Sequence, residues 1–275
     1  MNARAVAAWS GACIVVVLAT SNPAYKVAVL AAALTVLAAA AGPRRIRRLL
    51  LGVTLVGTFD ALVNFVSAHL GGTVLFALPD AIPALGGPYT LEALAFGASS
   101  GFTIAAALLA AAPFSVLLRP NDVMDALPAA LARTGTTLAA SLNLVPAISR
   151  SFTEVSEAQR MRGWRPRGPA SWSEVLVPVV LTSAEGSIQL AESMEARGFG
   201  SGPRTAFARP GLKSSDWLVI GAAALAVALF AVSRAAGWAA DWYAYPSLVA
   251  PAVDPRPMLA CLILFTPVLA WRRRG

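Results

Sequence analysis

Six apolar stretches alternate with polar segments along the chain, and one of the polar segments is far longer than the others. The apolar stretches cover residues 5–20, 24–41, 49–70, 91–118, 217–236 and 258–271. About 20 apolar residues in a helix are enough to cross the hydrocarbon layer of a bilayer. The pattern therefore predicts an all-α polytopic membrane protein with about six transmembrane helices. Residues 1–118 carry four of them, residues 119–215 form the long polar region, and residues 216–275 carry the last two.

Composition and charge agree with a membrane protein and indicate how it is oriented. The chain is 57% hydrophobic and 13% charged, with a mean hydropathy of +0.66, whereas a soluble domain is about 25% charged. The net charge of +8 does not point to nucleic acid, because the basic residues flank the apolar stretches. If residues 119–215 are cytoplasmic, all 22 lysines and arginines except Lys26, Arg234 and Arg256 lie inside, as membrane proteins prefer. This distribution predicts that both termini are cytoplasmic and that nucleic acid is not a partner.

The polar region has the pattern of three helices rather than of a disordered tail. The predicted helices cover residues 120–133, 138–162 and 173–197, and residues 171–174 have the spacing of a capping box before the third helix. Apolar residues recur every three or four positions in the second helix, which gives it one apolar face. Such amphipathic helices lie at a membrane surface or against a partner. The region is therefore predicted to be a cytoplasmic domain of long amphipathic helices.

One short pattern ends both long helices: an acid, then an arginine, a glycine and an aromatic residue. The two copies, 35 positions apart, are residues 157–164, ending in Arg162-Gly163-Trp164, and residues 192–199, ending in Arg197-Gly198-Phe199. Glycine just past a helix adopts the left-handed conformation, and the aromatic residue after it can fold back on the last turn. Arginine there faces the negative end of the helix dipole, which favours a cation by about 0.3–1 kcal/mol. A single such ending is an ordinary cap, but two in one polar region predict two charged ends that meet a partner.

Polar and small residues also occur within the apolar stretches. Asp60, Asn64 and Ser67 share one face of the third predicted helix. An acid in a membrane is costly and usually faces the protein interior, so we expect this face to contact another helix or a partner. An ion site is the alternative, but no second acid of an apolar stretch lies nearby in the sequence. Gly97 and Gly101 form a GxxxG pattern in the fourth helix, which permits close helix approach.

The sequence has little of what a metal site or a nucleotide site requires. Cys13 and Cys261 lie in separate apolar stretches and are expected to be small buried thiols. His69 is the single histidine, and one histidine cannot form a metal site alone. The chain has no GxxxxGK[ST] phosphate loop, and its lysines are Lys26 and Lys213. We therefore predict no cofactor, no metal site and no ATP hydrolysis by this chain itself.

Three features resemble the transmembrane T component of energy-coupling factor (ECF) transporters, of the cobalt-transport Q-protein type. They are the paired Arg-Gly motifs, the turn Asn22-Pro23…Lys26 before an apolar helix, and Asp125-Ala126-Leu127 ahead of the long helices. The resemblance covers most of the chain. It implies two coupling helices that dock in grooves of two ABC ATPase subunits or domains, and a membrane region that holds a separate substrate-binding S component. The expected function is to transmit ATPase motion to that S component, for uptake of a vitamin or transition-metal ion across the plasma membrane.

The resemblance also implies which residues meet the partners. The expected ATPase-coupling residues are Arg162, Gly163, Ala196, Arg197 and Gly198. Further ATPase contacts are expected at Glu157, Gln159 and Glu195, and contacts with a partner in the membrane at Asp60 and Asn64. The second motif, Ala-Arg-Gly, is intact, whereas the first has Met161 where the family has alanine.

An ordinary ABC-importer permease, which translocates its own substrate, is the nearest alternative function. The spacing Glu157-Ala158…Gly163 matches the opening of a permease coupling loop. Val177-Pro178, however, comes late for that loop, and the second Arg-Gly ending has no explanation in a permease.

A membrane prenyltransferase is a more distant alternative, from the class of enzymes. Such enzymes hold magnesium and diphosphate with aspartates, and Asn121, Asp122 and Asp125 resemble the first half of their signature. Ala129 stands where a third acid is needed, and the sequence has no second aspartate-rich motif. Capping of a helix is the better interpretation of Asn121 and Asp122.

Overall fold

The computed structural model describes residues 2–40, 43–79, 86–118, 132–199 and 211–271. The chain divides into two compact units. Met1–Arg119 and Gly211–Gly275 together form the first, here called the membrane unit, and Pro120–Pro210 form the second, here called the polar unit. The first and last parts of the chain thus belong to one unit, although the polar region separates them in sequence.

Nine α-helices and one two-stranded sheet make up the described residues. In chain order they are α1 (Ala3–Leu18), α2 (Pro23–Ala40), α3 (Pro43–Ser67), β1 (Val74–Leu78), β2 (Gly87–Thr90), α4 (Leu91–Leu117), α5 (Ala132–Met161), α6 (Ser173–Ala196), α7 (Ser214–Ala235), α8 (Pro255–Ile263) and α9 (Thr266–Trp271). A short 3-10 helix, Pro169–Trp172, leads into α6.

Four of the helices are long and apolar enough to cross a membrane. They are α2, the Ile46–Ser67 part of α3, the Leu91–Pro113 part of α4, and α7. Ala3–Leu18 and Pro255–Ala270 are also apolar but shorter, and α8 and α9 divide the second of these where one continuous span was predicted. The fold class, an all-α polytopic membrane protein, is confirmed, while four of the six predicted spans have the full length.

Helix α4 packs against α1, α2 and α3, and α7 packs against α1 and α8. Large side chains fill the space between these helices. Trp9 is fully buried, and its indole N–H donates to the carbonyl of Leu264 (2.8 Å). The buried ring of Tyr25 meets Phe230 edge to face at 6.0 Å. Cys13 and Cys261 are buried free thiols in the same unit, as expected.

The GxxxG pattern of α4 is where α3 comes closest. A Cβ atom added to Gly97 would lie 2.6 Å from the carbonyl oxygen of Ala61, and one added to Gly101 would lie 2.6 Å from that of Gly57. Carbon atoms do not approach backbone oxygens so closely, so only glycine fits at these two positions. The predicted close approach of two helices is confirmed.

A β-hairpin follows α3 in a segment for which the sequence indicated only glycine, proline and an absence of basic residues. Strands β1 and β2 pair antiparallel. At the start of α4 the buried carboxylate of Glu92 accepts hydrogen bonds from the N–H of Thr73 at 3.1 and 3.2 Å. This acid therefore fixes the chain just before β1 against the first turn of α4.

The polar unit differs from the predicted pattern in two places. Helix α5 begins at Ala132, six residues earlier than expected, and the predicted helix over 120–133 lies almost wholly outside the described residues. The predicted capping box before α6 is wrong, because Trp172 is the N-cap and makes no side-chain cap bond. The hydroxyls of Ser171 and Ser173 instead donate to the carbonyls of Gly168 and Ala170 within the 3-10 turn.

Candidate functional site

The end of α5, at residues 157–164, is a rigid hydrogen-bonded turn. The N–H of Trp164 donates to the carbonyl of Gln159 (2.9 Å), and the N–H of Gly163 donates to that of Arg160 (3.0 Å). These two bonds define a Schellman motif. Gly163 has φ +89°, a conformation that residues with a Cβ avoid. The predicted glycine cap is confirmed here.

The end of α6, at residues 192–199, repeats this turn. The N–H of Phe199 donates to the carbonyl of Met194 (2.9 Å), and the N–H of Gly198 donates to that of Glu195 (2.8 Å). Gly198 has φ +73°. The backbone therefore holds the arginine, the glycine and the aromatic residue in equivalent places at both ends, which we call the first helix end (157–164) and the second helix end (192–199).

A third cap of the same kind shows what the arginine contributes to the turn. At the end of α7, the N–H of Trp238 donates to the carbonyl of Ser233 (2.9 Å), and the N–H of Gly237, with φ +75°, donates to that of Arg234 (3.1 Å). Ala236 stands where the two helix ends carry arginine. Since the same cap forms with alanine, the arginine side chain is not what makes it.

The arginines of both helix ends point into solvent. Arg162 and Arg197 are exposed, as are Glu157 and Glu195. Within the described residues neither of the two guanidinium groups has an ion-pair partner. A guanidinium can bind a carboxylate through two parallel hydrogen bonds, so each helix end offers one exposed planar cation beside its glycine turn.

The first helix end is anchored in a small core of its own. Trp164 is 8% exposed and packs with Val175 and Val179 of α6, against which Phe152, Val155 and Trp172 also pack. The indole N–H of Trp164 donates to the carbonyl of Ser171 (2.9 Å).

Gln159 takes part in the same junction between the two long helices. Its amide donates to the carbonyl of Glu174 in the first turn of α6 (3.1 Å). Of the residues expected to contact an ATPase, Gln159 is therefore the one whose side chain is bound within its own unit.

In the membrane unit, Asp60 and Asn64 lie beside the close contact of α3 and α4. The Asn64 amide donates to the Asp60 backbone carbonyl (3.0 Å). The Oδ2 atom of Asp60 is buried and has no hydrogen-bond partner within the described part of the chain. Ser67, the third member of the predicted polar face, is exposed. Structure therefore adds one feature to the sequence pattern, a buried carboxylate oxygen that lacks a donor.

Lys26 has a role that its sequence position alone did not indicate. It is 7% exposed, and its Nζ donates to the Oγ (3.0 Å) and carbonyl (3.3 Å) of Ser99. The lysine thus links α2 to α4 inside the unit. A basic residue in the first turn of an apolar helix indicates that its side chain needs a polar partner. The sequence could not identify that partner, because Ser99 is 73 residues away.

The segment between α7 and α8 is held to the turn between α1 and α2. Asp241 accepts hydrogen bonds from Arg234 and from the Ser21 hydroxyl (2.9 Å), and the same hydroxyl accepts one from the Trp242 N–H (2.9 Å). The Arg234 guanidinium, with the Ser21 hydroxyl, lowers the pKa of the Asp241 carboxyl. Trp242 is buried, so this link lies against the interior of the membrane unit.

Comparison with known proteins supplies the family. No curated protein matches the chain. The family model for CbiQ, described as cobalt transport protein, matches residues 1–206. The matched residues include the membrane helices α1 to α4 and both helix ends. The protein is therefore a membrane transport component, and the chain belongs to the CbiQ cobalt transport protein family.

Proposed function

We propose that this protein is the energy-coupling T component of an ECF-type ABC importer. In this role it transmits the motion of two ABC ATPase subunits or domains to a substrate-binding S component, which takes up a vitamin or a transition-metal ion. The observation that carries the proposal is the pair of identical caps, each with an exposed arginine that the cap does not need. At the end of α7 alanine fills the same place.

The proposed coupling follows from the rigidity of these turns. In each, Arg162 or Arg197 follows the last helical residue and precedes a glycine with positive φ. Gly163 and Gly198 have no side-chain carbon and Ala196 has only a methyl group, so the arginines remain accessible to a groove. A carboxylate in the groove binds the guanidinium through two parallel hydrogen bonds. These bonds hold the helix end to the ATPase, so α5 or α6 moves with the ATPase as a rigid element. Glu157 and Glu195 are proposed to add contacts at the rim of the groove.

ATP hydrolysis is assigned to the partners. A nucleotide phosphate is bound in ABC ATPases by a glycine-rich loop that ends in lysine and serine or threonine, and the chain has no such sequence. Its buried lysine, Lys26, is bound to Ser99 in the membrane unit.

We further propose that the chain crosses the plasma membrane several times with both termini in the cytoplasm. The support is the distribution of positive charge, which leaves Lys26, Arg234 and Arg256 as the basic residues on the outer side. This orientation places both helix ends where ATPases are found.

Asp60 and Asn64 are proposed to contact the S component. The buried Oδ2 atom of Asp60 lacks a hydrogen-bond donor, and large apolar side chains are exposed on the same helix, among them Leu55, Phe59 and Leu62. A partner helix that supplies a donor would satisfy the carboxylate and cover these apolar groups.

The proposal is tested with arginine variants of the full chain. Arg162→Ala and Arg197→Ala should each weaken recovery of the ATPases in a pull-down, by about 2–5 kcal/mol of association if the arginine binds a buried partner. The double variant should lose substrate uptake. Lysine at either position should restore binding in part, because it keeps the charge and loses the planar fork.

Arg150→Ala is the matched control, since Arg150 is exposed on α5 but lies about 18 Å by helix rise before Arg162, outside the first helix end. It should bind ATPases as the wild type does. If the double variant binds ATPases and supports uptake normally, the two endings are only helix caps and the proposed function is wrong.

A further inference from the structure

The aromatic residues that follow the three caps have very different surroundings. Trp164 is buried at 8% exposure, and its indole N–H is bound to Ser171. Trp238 is 40% exposed, and the guanidinium of Arg256 lies 4.0 Å above its ring. Phe199 is 58% exposed, and in the described part of the chain its ring joins neither a buried cluster nor a ring or cation contact. Among the described residues, equivalent caps therefore leave one aromatic ring, that of Phe199, without a ring, cation or buried cluster against it.

The backbone that carries the Phe199 side chain is nevertheless held in place. Its N–H is bound to the carbonyl of Met194 in the last turn of α6, and Gly198 sets the turn. Arg197 stands two residues earlier on the same turn and is exposed as well. A large apolar group and a cation therefore extend from the same hydrogen-bonded turn. Aromatic residues and arginine are the side chains most often found at the centre of protein interfaces.

The charge around the second helix end favours a protein partner over a lipid surface. Arg197 is the single basic residue between positions 173 and 199, and the exposed acids Glu185, Glu192 and Glu195 precede it on α6. An anionic membrane surface attracts basic segments and repels acidic ones. The first helix end is different, because Arg160, Arg165 and Arg167 surround Arg162 there and are exposed.

We infer that Phe199 is the apolar anchor of the second helix end, inserted into an apolar pocket of the ATPase beside the carboxylate that takes Arg197. The inference rests on the proposed function and adds to it that the two helix ends are not interchangeable. The first end presents a basic surface whose aromatic residue is already buried in its own core. The second end presents an acidic surface with an exposed phenyl ring, so its pocket has an apolar floor and basic residues at the rim.

The test is a pull-down of the ATPases with the full chain in detergent, where no bilayer competes. Phe199→Ala should weaken ATPase binding about tenfold to a hundredfold, the range for burying one large apolar side chain. Phe199→Leu should restore most of the binding, because leucine keeps an apolar group at the turn. The melting temperature should not change in either variant, since the ring packs on nothing that is described.

Leu181→Ala provides the matched control. Leu181 lies on the same helix and is 59% exposed, but it is about 23 Å from the end of α6 by helix rise. It should bind ATPases like the wild type. Equal binding by Phe199→Ala and Leu181→Ala would overturn the inference, as would an effect of Phe199→Ala that appears in lipid vesicles and not in detergent.

The Arg197→Ala variant separates this inference from the proposed function. If Arg197→Ala weakens binding and Phe199→Ala does not, the second helix end docks through its arginine alone, and only the inference fails. If neither Arg197→Ala nor the double arginine variant weakens binding, the coupling function itself fails.

Discussion

The two units of the protein differ in the sequence separation between side chains and the groups to which they are hydrogen-bonded. In the membrane unit, Trp9 is hydrogen-bonded to Leu264 across 255 positions, and Asn22 to Ala252 across 230. In the described part of the polar unit, the longest side-chain hydrogen bond joins Gln159 to Glu174 across 15 positions. Hydrogen bonds between distant segments thus hold the membrane unit together. The described part of the polar unit, in contrast, is two consecutive helices whose side chains bond only to nearby residues.

The polar unit, like the membrane unit, leaves large apolar side chains uncovered. The polar unit has one small core at the junction of α5 and α6, and along α6 the side chains of Val177, Val180, Leu181 and Ile188 are all more than half exposed. Exposed apolar side chains of this size are available to lipid as well as to protein. The difference in hydrogen bonding teaches that a few local contacts give this pair of helices its shape, and that its remaining surface is available to partners.

The largest effect should come from removing the centre of the small core. Trp164→Ala deletes a buried ring and a hydrogen bond, and such changes cost about 3–5 kcal/mol in a protein interior. Because no long-range side-chain hydrogen bond is found in the described part of the polar unit, we expect the α5–α6 junction to open while the membrane unit stays folded. Limited proteolysis should then cut rapidly within residues 132–199, with the membrane helices still protected.

The matched control for this change is Phe199→Ala, which alters the equivalent residue of the second cap. Its ring is exposed, so the proteolysis pattern should remain that of the wild type. If Trp164→Ala is as resistant to protease as Phe199→Ala, the small core does not hold the two helices together and the contrast between the units is wrong.

A smaller effect is expected where α3 and α4 meet in the membrane unit. Gly97→Ala and Gly101→Ala each place a Cβ 2.6 Å from a backbone oxygen, and forcing extra carbon into a tight contact costs about 1–3 kcal/mol. Both variants should lower the melting temperature in detergent. Gly52→Ala is the control, because an added Cβ there meets nothing within 4 Å. Equal melting temperatures for Gly97→Ala and Gly52→Ala would show that the helices tolerate separation at this point.

The features that were predictable from the sequence are the ones specified by a few neighbouring residues. Hydrophobic runs located the long helices, Gly97 and Gly101 located the close contact, and the Arg-Gly-aromatic order located both caps. Each of these patterns involves residues within a few helical turns. The local structure that it specifies therefore does not depend on contacts with distant parts of the chain.

The features that were missed depend on residues far apart or on competition between bonds. The β-hairpin needs pairing across residues 74–90, and Lys26 needs Ser99 on another helix. The capping box failed because the Ser171 hydroxyl is already bound to Gly168 and to the Arg167 N–H. The sequence also did not show that Trp164 is buried while Phe199 is exposed. Trp164 is buried because Val175 and Val179 pack against it.

The smallest effect should come from one long-range link on the surface of the membrane unit, the group of Asp241, Arg234 and Ser21. Arg234, followed by Ser21, lowers the pKa of the Asp241 carboxyl in the folded protein, while the unfolded chain has the ordinary value of about 3.9. A depressed folded pKa gives stability that is present above the unfolded pKa and is lost as pH falls through the folded pKa. Both side chains are partly exposed, so solvent keeps the contribution small.

The measurement is the difference in melting temperature between wild type and Asp241→Asn as a function of pH. It should be small and constant from pH 7 down to about pH 4–5, and should shrink below that as the wild-type carboxylate is protonated and becomes neutral like asparagine. Salt at about 1 M should reduce the difference at pH 7, because it screens exposed charges. A difference that persists unchanged in strong acid would mean that Asp241 acts through its shape rather than its charge. The link to Ser21 would then be an ordinary neutral hydrogen bond, and the membrane unit would be closed by neutral bonds such as those of Trp9 and Asn22, with no contribution from this charge.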